Sequence, residues 1–114
     1  MKKFIVTYHV PASAMAQMDN ATPEQQAEGM KAWMDWAQKC GDKLVDMGAP
    51  LANGQHISPG GAIRNSTKEF SGYSILQAEN MDEAKALMKG HPHLNGWNAD
   101  ASIELSETMP IHGM

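Results

Sequence analysis

The first predicted strand constrains the fold most. Residues 3–10, KFIVTYHV, are dense in β-branched and aromatic side chains, and Pro11 then removes a backbone donor, so we expect a strand from about 3 to 10. Alternation divides this strand between two faces, with Phe4, Val6 and Tyr8 on one and Ile5, Thr7 and His9 on the other. Because both faces are partly apolar, the strand needs cover on both sides.

A long amphipathic helix is predicted next. The Thr22 hydroxyl can cap a free amide, Pro23 suits the first helical position, and Gln25 can complete a capping box. Apolar residues then recur at helical spacing at Met30, Trp33, Met34, Ala37, Leu44 and Met47. Gly48 lies where a left-handed C-terminal cap would fall, so we expect the helix to run from about 23 to 47.

The second half of the chain predicts a hairpin, a strand, a short helix and a last strand. The sequence SPGG at residues 58–61 is turn chemistry between two short strands, which we place at 51–57 and 62–65. The remaining elements are a strand at 70–77, a helix capped by Asn80 that closes at Lys89-Gly90, and a strand at 101–107.

This element order predicts an α+β fold. Two helices would cover one face of an antiparallel sheet in the split βαβ arrangement, and residues 1–114 have the length of a single domain. We expect the first and last strands not to be neighbours, although their ends open on one cleft. The second sheet face has no cover within the chain, so we expect a homodimer, sheet against sheet. The alternative is a monomer whose second sheet face is half apolar and exposed to solvent.

Composition excludes several classes of partner. Thirteen acidic residues against nine scattered basic ones give a net charge of −4, which does not suit nucleic acid binding. No apolar run approaches the roughly 20 residues of a membrane-spanning helix. Cys40 is the single cysteine, and the apolar stretch after Met1 to Lys3 is too short for a signal sequence, so we expect a cytoplasmic protein.

Histidines are the candidate catalytic residues, because imidazole can act as an acid or a base near neutral pH. His9 ends the first strand, and His91 and His93 flank Pro92 in the turn before the last strand. We expect these three histidines to transfer protons in a pocket with aromatic walls. The candidate substrate-binding residues are Trp36, Tyr73, Trp97 and His56.

The His-Pro-His turn has two other interpretations. It is typical of a solvated loop in which a cationic imidazole meets a helix C-terminus. His-X-His can also bind zinc or copper, but Pro92 and the lack of a nearby carboxylate or thiolate cluster argue against a metal. We therefore expect no metal and no other cofactor.

Two local patterns resemble the YCII-related family of small dimeric α-β barrel proteins. Residues 41–51, GDKLVDMGAPL, are similar to the family's helix end, glycine turn and Pro-Leu lead into its second strand. Residues 70–76, FSGYSIL, are followed by 81–87, MDEAKAL, and by the turn at 91–93, as in the family. The resemblance implies a ferredoxin-like subunit, a homodimer through the sheet faces, and a pocket between helices and sheet.

The resemblance also bears on function. A role similar to that of muconolactone isomerases is implied for the family by its shape and a His-Asp pair. In this chain the predicted first helix contains no histidine, and His91 replaces the acidic residue of the family's Asp-Pro turn. We expect a small-molecule-binding protein that is isomerase-like if its histidines transfer protons. The alternative is a non-catalytic ligand-binding or interaction dimer. A His-X-His metal-binding protein is a weaker alternative.

Overall fold

The computed structural model describes residues 1–14, 20–95 and 98–111. Its helices and strands are β1 Lys2–His9, α1 Pro23–Cys40, β2 Leu44–Pro50, β3 Gln55–Ile57, β4 Ile63–Asn65, β5 Phe70–Ala78, α2 Met81–Leu87 and β6 Ser102–Glu107. Four strands form an antiparallel sheet in the order β2-β5-β1-β6, and β3 and β4 form a separate two-stranded sheet. The α+β class with an antiparallel sheet is confirmed, and the topology is compatible with a ferredoxin-like fold.

The strand β1 is one of the two central strands, and it pairs with β5 on one side and β6 on the other. The prediction that the first and last strands are not neighbours is therefore wrong, since Thr7 lies directly opposite Glu104. One sheet face is covered by both helices. The buried cluster there contains Phe4, Val6, Tyr8, Leu76 and Ala78 from the sheet, Trp36 and Cys40 from α1, and Ala84 and Met88 from and just after α2.

The first helix begins as predicted and ends early. The Thr22 hydroxyl accepts a hydrogen bond of 3.1 Å from the Gln25 N–H, and the Gln25 side chain accepts one of 2.9 Å from the Thr22 N–H. The predicted end near 47 is wrong, because Gly41 leaves the helix at a φ of 58° and residues 44–50 pair with β5 as β2. The spacing of the apolar side chains there fits both a helix and a strand, and pairing with a buried strand decides between them.

Gly48 has a different role from the helix cap that the sequence predicts. It lies within β2 at a φ of 76°, at an irregularity in register between Asp46 and Ala49. A Cβ atom at this position would overlap the carbonyl oxygen of Tyr73. The close approach of β2 to β5 therefore requires glycine at this position.

The hairpin is confirmed but is shorter than predicted and separate from the main sheet. Its strands are Gln55–Ile57 and Ile63–Asn65 rather than 51–57 and 62–65. The residues that precede β3 turn away from strand pairing, with Asn53 at a φ of 57°. Two isoleucines opposite each other, Ile57 and Ile63, are 68% and 63% exposed.

The buried face predicted for α1 is only partly observed. Trp36 and Cys40 are buried, whereas Met30 and Met34 are 58% and 48% exposed. The helix contacts the sheet through its C-terminal half, so the apolar side chains of its N-terminal half are left exposed. Every residue of the range 22–32 is exposed.

The second helix and last strand agree with prediction. The Asn80 side chain accepts a hydrogen bond of 2.9 Å from the Glu83 N–H at the start of α2, and Gly90 follows the helix at a φ of 73°. The strand β6 spans Ser102–Glu107. Within the described residues, no helix is long and apolar enough to cross a membrane.

A buried histidine chain and an exposed histidine–glutamate pair

His91 lies in the protein interior with no exposed surface. Its Nδ1 accepts a hydrogen bond of 3.0 Å from the backbone N–H of His93, which caps the short 3₁₀ turn Pro92–Leu94. Because Nδ1 acts as an acceptor, the ring proton lies on Nε2, which is 3.1 Å from the Tyr8 hydroxyl. The contacts thus assign His91 as a neutral imidazole that donates to Tyr8.

The hydrogen bonds continue from Tyr8 in one direction. Since the Tyr8 oxygen accepts from His91, its own proton goes to the Ser74 hydroxyl at 2.7 Å, and Ser74 in turn donates to the Met47 carbonyl oxygen at 2.6 Å. Every donor of this chain is therefore used. We call His91, Tyr8, Ser74 and the Met47 carbonyl the buried chain.

Burial sets the protonation of the buried chain. Desolvation, with a smaller contribution from nearby His93, lowers the pKa of His91 from 6.5 to about 3. Desolvation also raises the pKa of Tyr8 to about 12, although the hydrogen bond with Ser74 opposes it. Both rings are accordingly neutral at physiological pH.

Aromatic rings enclose His91. Its ring centroid lies 4.3 Å from that of Trp36 and 4.6 Å from that of Trp33. The Trp36 indole N–H donates to the Leu87 carbonyl oxygen at 2.9 Å, and the side chain is 3% exposed as a residue of the core. Trp36 therefore joins α1 to the end of α2 beside the buried chain. Its contact with a ligand stays a prediction.

His93 ties the same turn to the end of β1. It is 6% exposed, and its Nε2–H donates to the His9 carbonyl oxygen at 3.1 Å. Desolvation is the largest influence on its pKa, which is lowered. The backbone on either side of Pro92 is thus attached to both Tyr8 and His9.

The His9 side chain occupies the other face of the sheet. Its Nε2 lies 2.8 Å from the Thr7 hydroxyl and 3.4 Å from a Glu104 carboxylate oxygen. The side chains of His9 and Glu104 are 26% and 74% exposed. Among the described residues, Nδ1 of His9 has no hydrogen-bond partner. When the ring proton lies on Nε2, the Nδ1 atom has a free lone pair.

A cleft of about 680 Å³ lies beside this end of β1. It is lined by Ala12, by residues 51–55 and by residues 65–70. Phe70 belongs to this lining and also contacts the His9 ring edge to face, with centroids 5.6 Å apart. The cleft and the His9–Glu104 pair are therefore connected through one aromatic side chain.

The remaining predicted site residues are dispersed. Tyr73 pairs with Thr7 and alternates with Ser74, so it lies on the sheet face opposite the buried chain. His56 lies in the hairpin opposite Arg64. Trp97 lies outside the described residues. The structure thus brings His91, His93 and Trp36 together and does not gather all the predicted residues around one pocket.

Four side chains of these networks were missing from the sequence-based site: Thr7, Tyr8, Ser74 and Glu104. Strand alternation places Tyr8 and His9 on opposite faces of the sheet. It likewise places Glu104 and its neighbour Leu105 on opposite faces. The sequence contains this face assignment, but it does not contain the register that sets Glu104 beside Thr7.

The described part of the chain was also expected to hold no metal site. Among those residues, no three His, Cys, Asp or Glu side chains lie together as a possible ion site. Cys40 is a free, buried thiol, and burial raises its pKa.

Comparison with known proteins finds a similarity in structure at low sequence identity. No family model matches the chain, and no curated protein matches it either. A solved structure, 5-chloro-2-hydroxyhydroquinone dehydrochlorinase (TftG) from Burkholderia phenoliruptrix AC1100 in complex with 2,5-dihydroxybenzoquinone, is 18% identical over 91% of each chain. The TM-score between the two structures is 0.49.

Proposed function

We propose that this chain is a small-molecule-binding protein of the YCII-related type, in which His9 transfers protons to and from a ligand held in the neighbouring cleft. The observation that carries the proposal is the accessibility of His9. His9 is partly exposed, whereas the other two candidate histidines, His91 and His93, are buried.

The chemistry follows from the two ring nitrogens of His9. Nε2 lies 2.8 Å from the Thr7 hydroxyl and 3.4 Å from the Glu104 carboxylate, and in this proposal it carries the ring proton, which leaves Nδ1 unprotonated. A proton taken up at Nδ1 makes an imidazolium beside the carboxylate, and the same proton can then return to another atom of the ligand. The pair thus suits an isomerisation in which one proton moves between two positions of the substrate.

In this proposal the two buried histidines position the site. The hydrogen bond from His93 to the His9 carbonyl oxygen fixes the backbone of the acid–base residue. His91 fixes the ring of Tyr8, the neighbour of His9 along β1. Direct proton transfer by His91 would require the buried chain to open, since both of its ring nitrogens are already hydrogen-bonded.

The lining of the cleft suggests the ligand class. One cation, Lys68, and one carboxylate, Glu69, line it together with amide and hydroxyl side chains and the ring of Phe70. A small organic acid with a flat or cyclic body matches this mixture, because its carboxylate can pair with the ammonium group while its ring packs on Phe70.

The proposal includes a ferredoxin-like subunit that forms a homodimer through the uncovered sheet face. Ile5 and Ile75 lie opposite each other in the middle of the sheet, on the face that neither helix covers. Burial of apolar surface between two such faces would stabilise a dimer. Sedimentation velocity tests this part, with a monomer at high micromolar concentration as the contradictory result.

A thermal unfolding assay tests ligand binding. The probes are 4-hydroxybenzoate and 5-oxotetrahydrofuran-2-carboxylate, an aromatic acid and a lactone acid. At a concentration of about 100 times Kd, a bound acid should stabilise the fold by about 2.7 kcal/mol, which raises Tm by roughly 10 °C for a domain of this size. Lys68→Met should weaken that stabilisation. No shift with either acid would reject the proposed ligand class.

Proton transfer is tested by isotope exchange. The lactone acid is incubated with the protein in D₂O, and proton NMR follows the loss of its C–H signals beside the carbonyl groups. We expect exchange with the unaltered protein, a strong loss with His9→Gln and a partial loss with Glu104→Gln. The matched control is Glu107→Gln, which removes a carboxylate of the same strand that pairs with Lys2 instead. Binding without exchange would favour the non-catalytic ligand-binding dimer.

A further inference from the structure

A second cleft, of about 420 Å³, lies between α2 and the last strand β6. We call it the lateral cleft. Its volume is in the range of small-molecule sites, which is about 300–1,000 Å³. Its described lining residues come from α2 and its end, from the 3₁₀ turn Pro92–Leu94 and from β6: Met81, Lys85, Met88, Leu94, Ile103 and Leu105.

The lateral cleft is separate from the site of His9. None of the described residues lines both this cleft and the cleft of about 680 Å³ beside β1. Along β6, Ile103 and Leu105 pack against the helix-covered core, whereas Glu104 between them lies beside His9 on the other sheet face. A ligand in the lateral cleft would therefore leave the His9–Glu104 pair free.

Helical spacing gives the lateral cleft a buried floor and an open rim. Met81, Lys85 and Met88 follow one another at intervals of four and three residues, so their side chains lie on one face of α2 and its end. Met88 is 7% exposed and forms the floor. Lys85 is exposed and Leu94 is 47% exposed, so both lie at the rim.

The lining combines an apolar surface with one cation. Five of the six described lining residues are aliphatic or methionine, and Lys85 is the sixth. Lys85 makes no ion pair or hydrogen bond with any other described side chain. The acids of the same helix lie elsewhere, since Glu83 pairs with Lys43 and Asp82 is not among the described lining residues. The ammonium group is thus available to an anion at the edge of an apolar floor.

We propose that the lateral cleft binds an aliphatic monocarboxylate with a single unbranched chain, whose chain packs on the methionines and β6 and whose carboxylate pairs with Lys85. Methionine side chains are flexible and adapt to a chain that has many conformers. The described lining offers no aromatic ring and no hydrogen-bonding side chain apart from Lys85, so it favours a plain chain over a ring with polar substituents. This site is independent of the proposed acid–base function.

Methionine methyl NMR locates the bound chain. The protein is labelled with [methyl-¹³C]methionine and titrated with decanoate, and the signals are assigned by single Met→Leu variants. We expect saturable shifts of the signals of Met81 and Met88, which line the lateral cleft. The signals of Met30 and Met34, which are exposed on α1, should stay in place.

Chain length and charge test the two parts of the contact. Octanoate should bind about tenfold more weakly than decanoate, because each buried methylene changes the affinity about fourfold. Lys85→Met should weaken the binding of octanoate about threefold and leave that of 1-octanol, the neutral chain of the same length, unchanged. Lys89→Met is the matched control, since it removes a cation one helical turn away that does not line the cleft.

Two further variants separate this site from the cleft beside β1. Leu94→Glu places a second charge of the ligand's own sign at the rim, on a half-exposed residue, and should abolish decanoate binding. Lys68→Met alters the other cleft and should leave decanoate binding unchanged. The proposal is overturned if decanoate shifts no methionine signal or shifts all four alike, or if Lys85→Met and Lys89→Met have equal effects.

Discussion

Acid should destabilise this protein through His91. In the folded state its pKa is lowered by burial from 6.5 to about 3. In the unfolded chain the ring is hydrated and binds a proton below pH 6.5, so the unfolded state holds more protons and gains free energy as the pH falls. The stabilisation is complete above pH 6.5 and is lost progressively between pH 6.5 and about 3.

The expected magnitude follows from the size of this shift. One pH unit in this window corresponds to about 1.4 kcal/mol for a single group. At pH 5 the contribution of His91 should therefore have reduced the free energy of unfolding by about 2 kcal/mol. His93 acts in the same direction, because its pKa is also lowered by burial.

Urea unfolding followed by tryptophan fluorescence measures this effect, since Trp33 and Trp36 both contact the His91 ring. The comparison variant is His91→Asn, whose side-chain oxygen can still accept from the His93 N–H as an N-cap but does not titrate. We expect the unaltered protein to lose about 2 kcal/mol more than the variant between pH 7 and pH 5. Parallel losses in the two proteins would refute the assignment of His91 as a buried neutral base.

Three further predictions concern stability. Tyr8→Phe removes the acceptor of the His91 Nε2–H and should lower the free energy of unfolding by about 1–3 kcal/mol in urea titrations at pH 7, and an unchanged midpoint would contradict the buried chain. Gly48→Ala should destabilise the fold by about 3 kcal/mol in the same assay, because its Cβ would overlap the Tyr73 carbonyl oxygen, and a near-neutral result would contradict the described approach of β2 to β5. Asn80→Ala should lower Tm by several degrees through loss of about 1 kcal/mol of helix capping, whereas Asn80→Ser should largely retain Tm.

Local chemistry made much of the fold predictable. The first strand, predicted at about 3–10 and found at Lys2–His9, depends on residues close together in sequence, as do the capping box at Thr22 and the cap at Asn80. The end of α1 was not predictable in the same way. The apolar spacing through Leu44 and Met47 satisfies a helix, and the strand forms instead because residues far along the chain, in β5, supply its partners.

The site was harder to predict because its contacts join distant segments. Tyr8 and His91 are 83 residues apart, and no local pattern links them. The sequence identifies histidines that can transfer protons, but burial decides which of them meets solvent. Glu104 reaches His9 because β6 pairs with β1 in one particular register, which depends on the assembled sheet.

Ring nitrogen NMR of ¹⁵N-histidine-labelled protein distinguishes a His91 that is closed within the buried chain from one that exchanges protons with solvent. We expect His91 to be protonated on Nε2 alone at pH 7 and its ring nitrogen shifts to stay constant down to pH 5. A His91 ring that carries its proton on Nδ1, or that titrates near pH 6.5, would contradict this expectation.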